Sequence, residues 1–163
     1  SLDNNVNNLF YSNKIVVKDK RIIVSTDPYL YILNSENGST ISQKLITSIS
    51  RPIVTKEGLF LITKDNLLVY KDLNTFKVGF SISINEQIAK FLETKKKSIR
   101  IKSFSIIDDK IYLFLENSYL VKFTLTGEIQ EIDKLPIKLG SFPIFINKSI
   151  LYLSNNNKLV ILN

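Results

Sequence analysis

The apolar residues of this chain lie in short runs that recur at a nearly constant interval. Residues 22–33 contain two such runs, and residues 59–70 repeat their order 37 positions later. A third copy lies at about residues 104–132 and a fourth at about residues 143–163, and these two copies are 39 positions apart. Self-similarity at a fixed period of this length is typical of repeat architectures. We therefore expect four copies of one structural unit.

Each unit is predicted to form four short strands, called A to D here, separated by turns. In the first unit, Asp19, Pro28 and Asn37-Gly38 mark the turns, and Asn-Gly supplies the positive φ that a tight hairpin requires. The fourth unit stops where its strand D would begin. The strands are predicted at residues 14–18, 22–26, 29–34 and 40–45; 52–54, 59–63, 67–71 and 77–82; 104–107, 111–115, 120–124 and 129–132; and 142–145, 150–154 and 159–162.

The apolar pattern differs between the strands of a unit. Strands B and C are nearly continuous apolar runs, which predicts that both of their faces are buried, whereas strand D alternates, as in residues 40–43. Four strands within a period near 37–40 residues are typical of a β-propeller blade. A β-sandwich is the alternative, but it does not require near-identical repeats. We therefore predict an all-β fold, a β-propeller of four-stranded antiparallel blades.

The predicted blades cover about residues 14–45, 51–82, 103–132 and 143–163 of a single propeller region, residues 1–163. Propellers have about 4–8 blades, so the chain is either a compact four-bladed ring or part of a larger seven- or eight-bladed ring. An open set of blades exposes unpaired edges, so closure by a partner chain, a second copy or a further part of the polypeptide is expected. Residues 8–11, or another segment, are expected to supply the missing strand D.

Residues 83–102 interrupt the repeat between the second and third blades. Their apolar positions have the spacing of one helical face, which predicts a helix over about residues 85–94, followed by a basic run at residues 95–102. Those apolar positions are Ile84, Ile88, Phe91 and Leu92. Insertions in repeat proteins map to loops on one face, so this segment is the candidate partner surface. Its residues are Ile88, Phe91, Leu92, Lys95, Lys96, Lys97 and Arg100. The alternative is a helix that plugs one end of the ring with its apolar side chains in the core.

The composition excludes several kinds of catalytic site. The chain has no Cys and no His, so it has no Ser-His-Asp or Cys-His arrangement and no zinc site built from Cys or His. Its acidic doublet, Asp108-Asp109, lies in a predicted A–B turn, where Asp is ordinary turn chemistry. No catalytic, cofactor-binding or metal-binding residue is therefore assigned.

The net charge of +7 suits an anionic partner. However, the chain is rich in Ile, Lys and Asn, which AT-rich coding favours, so the excess of Lys follows without selection for binding. The basic run at residues 95–102 also has no interleaved aromatic residues on which bases could stack. We therefore expect no nucleic-acid partner.

Each unit also carries an ordered set of short motifs. The residues that carry it are Pro52-Ile53-Val54, Glu57-Gly58, residues 59–63 and residues 64–70 in the second unit, residues 30–34 and Asn37-Gly38 in the first, and Thr126-Gly127-Glu128-Ile129 in the third. This order resembles the pyrroloquinoline-quinone-like repeat of β-propellers, over about residues 14–163 apart from the insert. The chain departs from the pattern at the closing Trp of each blade, because it contains no Trp.

The resemblance implies two kinds of function. Some members are quinoprotein dehydrogenases that hold the quinone and calcium between a stacking Trp and acidic ligands, and this chain has neither a Trp nor a vicinal Cys pair. Others are scaffolds without a cofactor, such as the propeller lipoprotein of the outer-membrane β-barrel assembly machinery. A quinone-dependent dehydrogenase fragment and a ligand- or polyanion-binding sensor domain are the alternatives to a scaffold.

The scaffold interpretation fits the residues better than the dehydrogenase interpretation. We therefore predict a non-catalytic scaffold without a cofactor, whose partners are proteins such as the barrel-assembly components. The resemblance also implies a periplasmic location at the outer membrane, with a lipid anchor on a Cys that is removed with the leader. Tyr29 and Tyr119 lie next to predicted loops, and they could face a partner instead of packing within a blade.

Overall fold

The computed structural model describes residues 15–163 and confirms the predicted all-β class. It contains four antiparallel sheets and one helix, α1 (Ile84–Phe91), and it divides into two compact units, one ending at Ile84 and the other running from Asn85 to Asn163. Sheet 1 contains β1 (Val16–Lys18), β2 (Arg21–Ser25), β3 (Tyr29–Asn34) and β4 (Thr40–Leu45); sheet 2 contains β5 (Ile53–Val54), β6 (Leu59–Ile62), β7 (Leu67–Lys71) and β8 (Val78–Ser83); sheet 3 contains β9 (Ile101–Ile107), β10 (Lys110–Leu115), β11 (Tyr119–Thr124) and β12 (Ile129–Lys134); and sheet 4 contains β13 (Ile144–Ile146), β14 (Ser149–Leu153) and β15 (Leu159–Leu162).

Tight turns set the register of each sheet, in which the strands are neighbours in chain order. The A–B turns of sheets 1, 3 and 4 each hold two successive residues at positive φ, as two-residue hairpin turns require. These residues are Asp19 and Lys20, Asp108 and Asp109, and Asn147 and Lys148. The C–D pairings of sheets 1, 2 and 3 share a register shift at equivalent positions, after Ile32, Tyr70 and Lys122. The sheets are therefore copies of one unit in detail as well as in outline.

The interval between the first two units is not constant, and this corrects the sequence alignment. Leu61 pairs with Val69 in sheet 2, and the matching pair in sheet 1 is Val24 with Tyr31. Equivalent residues are therefore 37 positions apart in strand B but 38 apart in strand C. The B–C turn explains the difference. Thr26 N donates to the carbonyl three residues later, on Tyr29, whereas Thr63 N donates to the carbonyl four residues later, on Leu67. A one-residue shift moves a strand's side chains to the other face of the sheet.

An apolar core of the first unit lies between sheets 1 and 2. In sheets 1 and 3, the face that packs on the following sheet is called the forward face, and in sheets 2 and 4 the face that packs on the preceding sheet is called the rear face. The opposite face of each sheet takes the other name. Ile23 and Leu30 on the forward face of sheet 1 belong to the same buried cluster as Leu59, Leu61 and Val69 on the rear face of sheet 2. Forward-to-rear packing of consecutive sheets therefore holds this unit together.

Sheets 3 and 4 pack in the same way in the second unit. Phe114 and Leu120 on the forward face of sheet 3 cluster with Ile150, Tyr152 and Val160 on the rear face of sheet 4. Two buried residues from the connection between these sheets, Leu135 and Leu139, complete the core. The second unit thus repeats the packing of the first with different side chains.

Burial of both strand faces is confirmed for the inner strands of sheets 2 and 3 but is wrong for sheets 1 and 4. All four residues of β6 are buried, as are four of the six residues of β10. In contrast, buried and more exposed residues alternate along β3 and β14. The reason is that sheets 1 and 4 each have one face covered by a neighbouring sheet and one face open, although their apolar runs look the same.

Sheet 4 contains three strands among the described residues, as the missing strand D predicts. Residues 8–11, which were expected as one source of the fourth strand, lie outside the described part of the chain. Beside β15, a cleft of about 890 Å³ opens toward β12 of sheet 3. Its lining includes Tyr112, Lys122, Phe145 and Leu162.

Candidate partner surface

Helix α1 begins as a direct continuation of β8 and ends in a defined motif. The Ser83-Ile84-Asn85-Glu86 sequence has the residue spacing of a capping box at its start. At its end, Glu93 has a φ of 51°, Glu93 N donates to Lys90 O at 3.2 Å, and Thr94 N donates to Ala89 O at 2.9 Å. These two bonds form a Schellman motif. The helix is therefore shorter than the predicted residues 85–94, because the chain leaves the helical conformation at Glu93.

An apolar groove of about 260 Å³ lies between the end of α1 and sheet 3. Ile88 and Leu92 line it on the helix side, and Leu115, Tyr119 and Ile132 line it on the sheet side. Small-molecule sites are usually about 300–1,000 Å³ and more enclosed. The groove therefore suits one or two apolar side chains of a protein segment better than a free ligand.

The predicted apolar residues of this segment do not act as one buried face. Ile88 is half-buried, whereas Leu92 is 48% exposed and Phe91 is 46% exposed. Phe91 is absent from the groove lining, which contains Ile88 and Leu92. Phe91 and Leu92 are thus surface residues and not core, so the plug interpretation does not describe them.

The basic residues of the segment divide into paired and unpaired groups. Lys96 Nζ lies 2.7 Å from Glu86 Oε1, and Arg100 Nη1 lies 3.8 Å from Glu116 Oε2. Both pairs are largely exposed, so each contributes little to stability. Lys95 and Lys97 line the groove and form no ion pair with the described residues. They are therefore the two cations that are available to an acidic partner at this site.

Sequence reasoning found the helix side of the groove but missed most of the sheet side. Leu115, Val121 and Ile132 come from three strands of sheet 3, and their apolar character was ascribed to blade packing alone. Tyr119 was identified as a residue that could face a partner, and it does line the groove. These sheet residues could have been predicted from the sequence, because they lie near the strand ends that are adjacent to the insert.

A second charged cluster lies in the cleft beside β15. Lys122 Nζ donates to Glu131 Oε2 at 2.6 Å and lies 2.9 Å from Asp133 Oδ2. Burial lowers the pKa of Lys122, but its hydrogen bonds to these two carboxylates outweigh that effect and raise the pKa above its ordinary value. Lys122 is already paired with two carboxylates, and the three groups together carry a net charge of −1. The lysine is therefore not available to recruit an anionic ligand.

The described residues offer no ready metal centre. Asp108 and Asp109 occupy the turn between β9 and β10, as predicted, and both have positive φ. Within residues 15–163, no group of three Asp, Glu, Cys or His side chains is close enough to hold a metal ion. Over the same residues, α1 is too short and too polar to cross a membrane, and no other helix could do so.

The sequence matches no protein family, and no characterised protein matches it in sequence. Solved structures, however, resemble it closely in fold. BamB from Moraxella catarrhalis superposes with a TM-score of 0.70 at 12% identity, over 91% of this chain and 42% of that chain. This chain therefore spans less than half the length of BamB.

Two further structures match at similar levels. The computationally designed Ika4 protein has a TM-score of 0.65 at 9% identity, and the match covers 93% of this chain and 89% of that chain. The Pan2 WD40 domain of Neurospora crassa has a TM-score of 0.65 at 10% identity, over 93% of this chain and 46% of that chain. At these identities the likeness concerns the fold, and it confirms that the four sheets are β-propeller blades.

Proposed function

We propose that this chain is a non-catalytic propeller scaffold that binds a protein segment in the groove between α1 and sheet 3. The observation that carries the proposal is an apolar groove with two unpaired cations, Lys95 and Lys97, in its lining. An exposed apolar depression with a charged rim is typical of a protein-binding site. The matching segment carries one or two apolar side chains flanked by carboxylates.

The proposed setting is the assembly of β-barrel proteins at the bacterial outer membrane. The support is the pyrroloquinoline-quinone-like order of motifs together with the fold match to BamB, at a TM-score of 0.70. The partners in this setting are the soluble domains of the barrel-assembly components. In this setting the chain acts in the periplasm at the outer membrane, and it needs no cofactor.

The test is a binding titration with purified soluble domains of the assembly barrel. A double variant, Lys95→Glu with Lys97→Glu, is expected to weaken binding by about 10-fold or more, because reversing two rim charges turns attraction into repulsion. Leu92→Ala is expected to weaken it as well, since Leu92 lines the groove. The matched control is Lys56→Glu with Lys77→Glu, which makes the same charge change at exposed positions in the loops of sheet 2.

Two results would contradict the proposal. One is the absence of binding to any barrel-assembly domain, which removes the proposed setting. The other is an equal loss of affinity in the groove variant and in the control, which shows that only net charge matters. Binding of nucleic acid or anionic vesicles that weakens steeply with added salt would favour the polyanion-binding alternative.

A further inference from the structure

The forward face of sheet 4 is an open apolar surface. Ile144, Leu151 and Ile161 form one cross-strand row on it, and Leu153 and Leu159 form the next. Ile144 is 61% exposed and Leu159 is 62% exposed. Leaving these apolar side chains in water is unfavourable, because apolar surface is stabilised by burial.

The repeat shows what normally covers such a face. Leu153 and Leu159 are paired in sheet 4 as Phe114 and Leu120 are paired in sheet 3. In sheet 3 these two residues are buried against the rear face of the following sheet. The open surface of sheet 4 is therefore built to receive the rear face of another blade.

The rear face of sheet 1 is open as well. Val17, Val24, Tyr31 and Leu45 lie on it, with Val17 66% exposed and Leu45 73% exposed. The equivalents of Val24 and Tyr31 in sheet 2 are Leu61 and Val69, which are buried against the preceding sheet. Among the described residues, sheet 4 thus has an open forward face and sheet 1 has an open rear face.

Neither open face carries a charged side chain at its paired positions. On sheet 1 these positions are Val17, Ile22, Val24, Tyr29, Tyr31, Leu33, Thr40, Gln43 and Leu45. On sheet 4 they are Ile144, Ile146, Ser149, Leu151, Leu153, Leu159 and Ile161. Solvent-facing sheets in stable monomers are usually protected by charges against association. The absence of charge here indicates that both faces are covered in the working protein.

We propose that the forward face of sheet 4 docks onto the rear face of sheet 1 of a second copy of this chain. A forward face packs on a rear face twice within one copy, between sheets 1 and 2 and between sheets 3 and 4. The proposed contact joins the same two kinds of face. The contact is head-to-tail, so one copy uses a different surface from its partner. Two copies bring together eight sheets, which lies within the range of about 4–8 blades that propellers adopt.

The test begins with the mass of the chain in solution, measured by light scattering and sedimentation. The expected result is twice the chain mass of 18.7 kDa, with reversible dissociation on dilution. Ile161→Glu on sheet 4 and Val17→Lys on sheet 1 are each expected to weaken the association by about 100-fold or more, because each buries an unpaired charge in the contact. The matched control is Val78→Glu, at an exposed apolar position of sheet 2 that belongs to neither face.

Mixing the two variants separates a head-to-tail contact from a symmetric one. In a mixed pair, one contact is unaltered and the other joins the carboxylate introduced by Ile161→Glu to the ammonium group introduced by Val17→Lys. The mixture is therefore expected to associate more tightly than either variant alone. Circular dichroism of each variant checks that the sheets are intact. A mass of one chain, or association that only one of the two variants weakens, overturns the proposal.

Discussion

Gly140 lies where the chain enters sheet 4, and replacing it with Ala is expected to destabilise the second unit. Gly140 N donates to Leu153 O at 2.7 Å, next to the bridge between Leu139 and Ser154. A Cβ at this position would lie 2.4 Å from Ser154 O and 2.7 Å from Asn155 N, and both of these atoms belong to the backbone. The obstacle therefore cannot rotate away as a side chain could.

The size of the effect follows from how far the backbone must move. An ordinary contact begins at 3.4 Å, so the two segments must separate by roughly 1 Å. Overpacking of this kind costs about 1–3 kcal/mol, and loss of the hydrogen bond to Leu153 adds about 1 kcal/mol. The lower entropy of the unfolded Ala variant offsets about 0.4–1 kcal/mol. We expect a net loss of about 2 kcal/mol in the free energy of unfolding, within a range of about 1–3.5 kcal/mol.

The assay is urea denaturation followed by circular dichroism, with hydrogen exchange of the sheet 4 amides as a local probe. A loss of this size corresponds to a fall of roughly 5–10 °C in Tm. The matched control is Ile49→Ala, because Ile49 N makes the equivalent bond to Ile62 O at 2.8 Å in sheet 2 and Ile49 is exposed. The control is expected to change stability by at most about 0.5 kcal/mol. A Gly140→Ala variant as stable as the control would refute the reasoning.

Lys71, which is buried, and Lys122, which is partly buried, are expected to affect the pH dependence of stability in opposite directions. Burial, and then repulsion from a second lysine, lowers the pKa of Lys71 below its ordinary value of 10.5, so the unfolded chain binds more protons in the interval between the two values. Between these two pKa values, the free energy of unfolding is therefore expected to rise with pH, by at most about 1.4 kcal/mol per pH unit. The urea midpoint of a Lys71→Met variant should lack this rise. A variant whose midpoint rises with pH as steeply as that of the original protein argues against this role of Lys71. The pKa of Lys122 is raised instead, so its contribution is present below 10.5 and is lost as the pH rises through the folded-state value. Lys122→Met is expected to cost about 1 kcal/mol at neutral pH, since Glu131 and Asp133 are partly exposed, and a salt-independent loss would point to packing as its cause.

Local patterns in the sequence determined most of the secondary structure. The predicted bounds of β3 (Tyr29–Asn34), β4 (Thr40–Leu45) and β15 (Leu159–Leu162) agree with the structure. Apolar runs and turn residues decide these elements, because each hairpin depends on contacts close in sequence. The position of α1 was also predicted, but its end was not. A helix often ends at a Gly with positive φ, whereas here Glu93 takes that conformation.

The alignment of the first two units and the composition of the groove needed the tertiary structure. The shift from 37 to 38 positions in strand C depends on the hydrogen bonds that Thr26 and Thr63 make across their turns, and residue types alone do not reveal them. Likewise, Tyr119 and Ile132 reach the groove because β11 and β12 lie side by side. Neighbours of this kind are set by strand pairing across the sheet and not by spacing along the chain.

By itself, the sequence determined that residues 14–163 contain four copies of one β-blade, the last without its strand D, with an insert after the second. Only the tertiary structure decided which of the apolar strands are buried on both faces. Residues 59–62 of β6 and 150–153 of β14 are both continuous apolar runs, yet Ile62 is buried and Leu153, at the equivalent position, is exposed. The physical reason is that an apolar side chain is stabilised when another surface covers it, but the chain's own sequence pattern does not show whether a neighbouring sheet lies there to cover it.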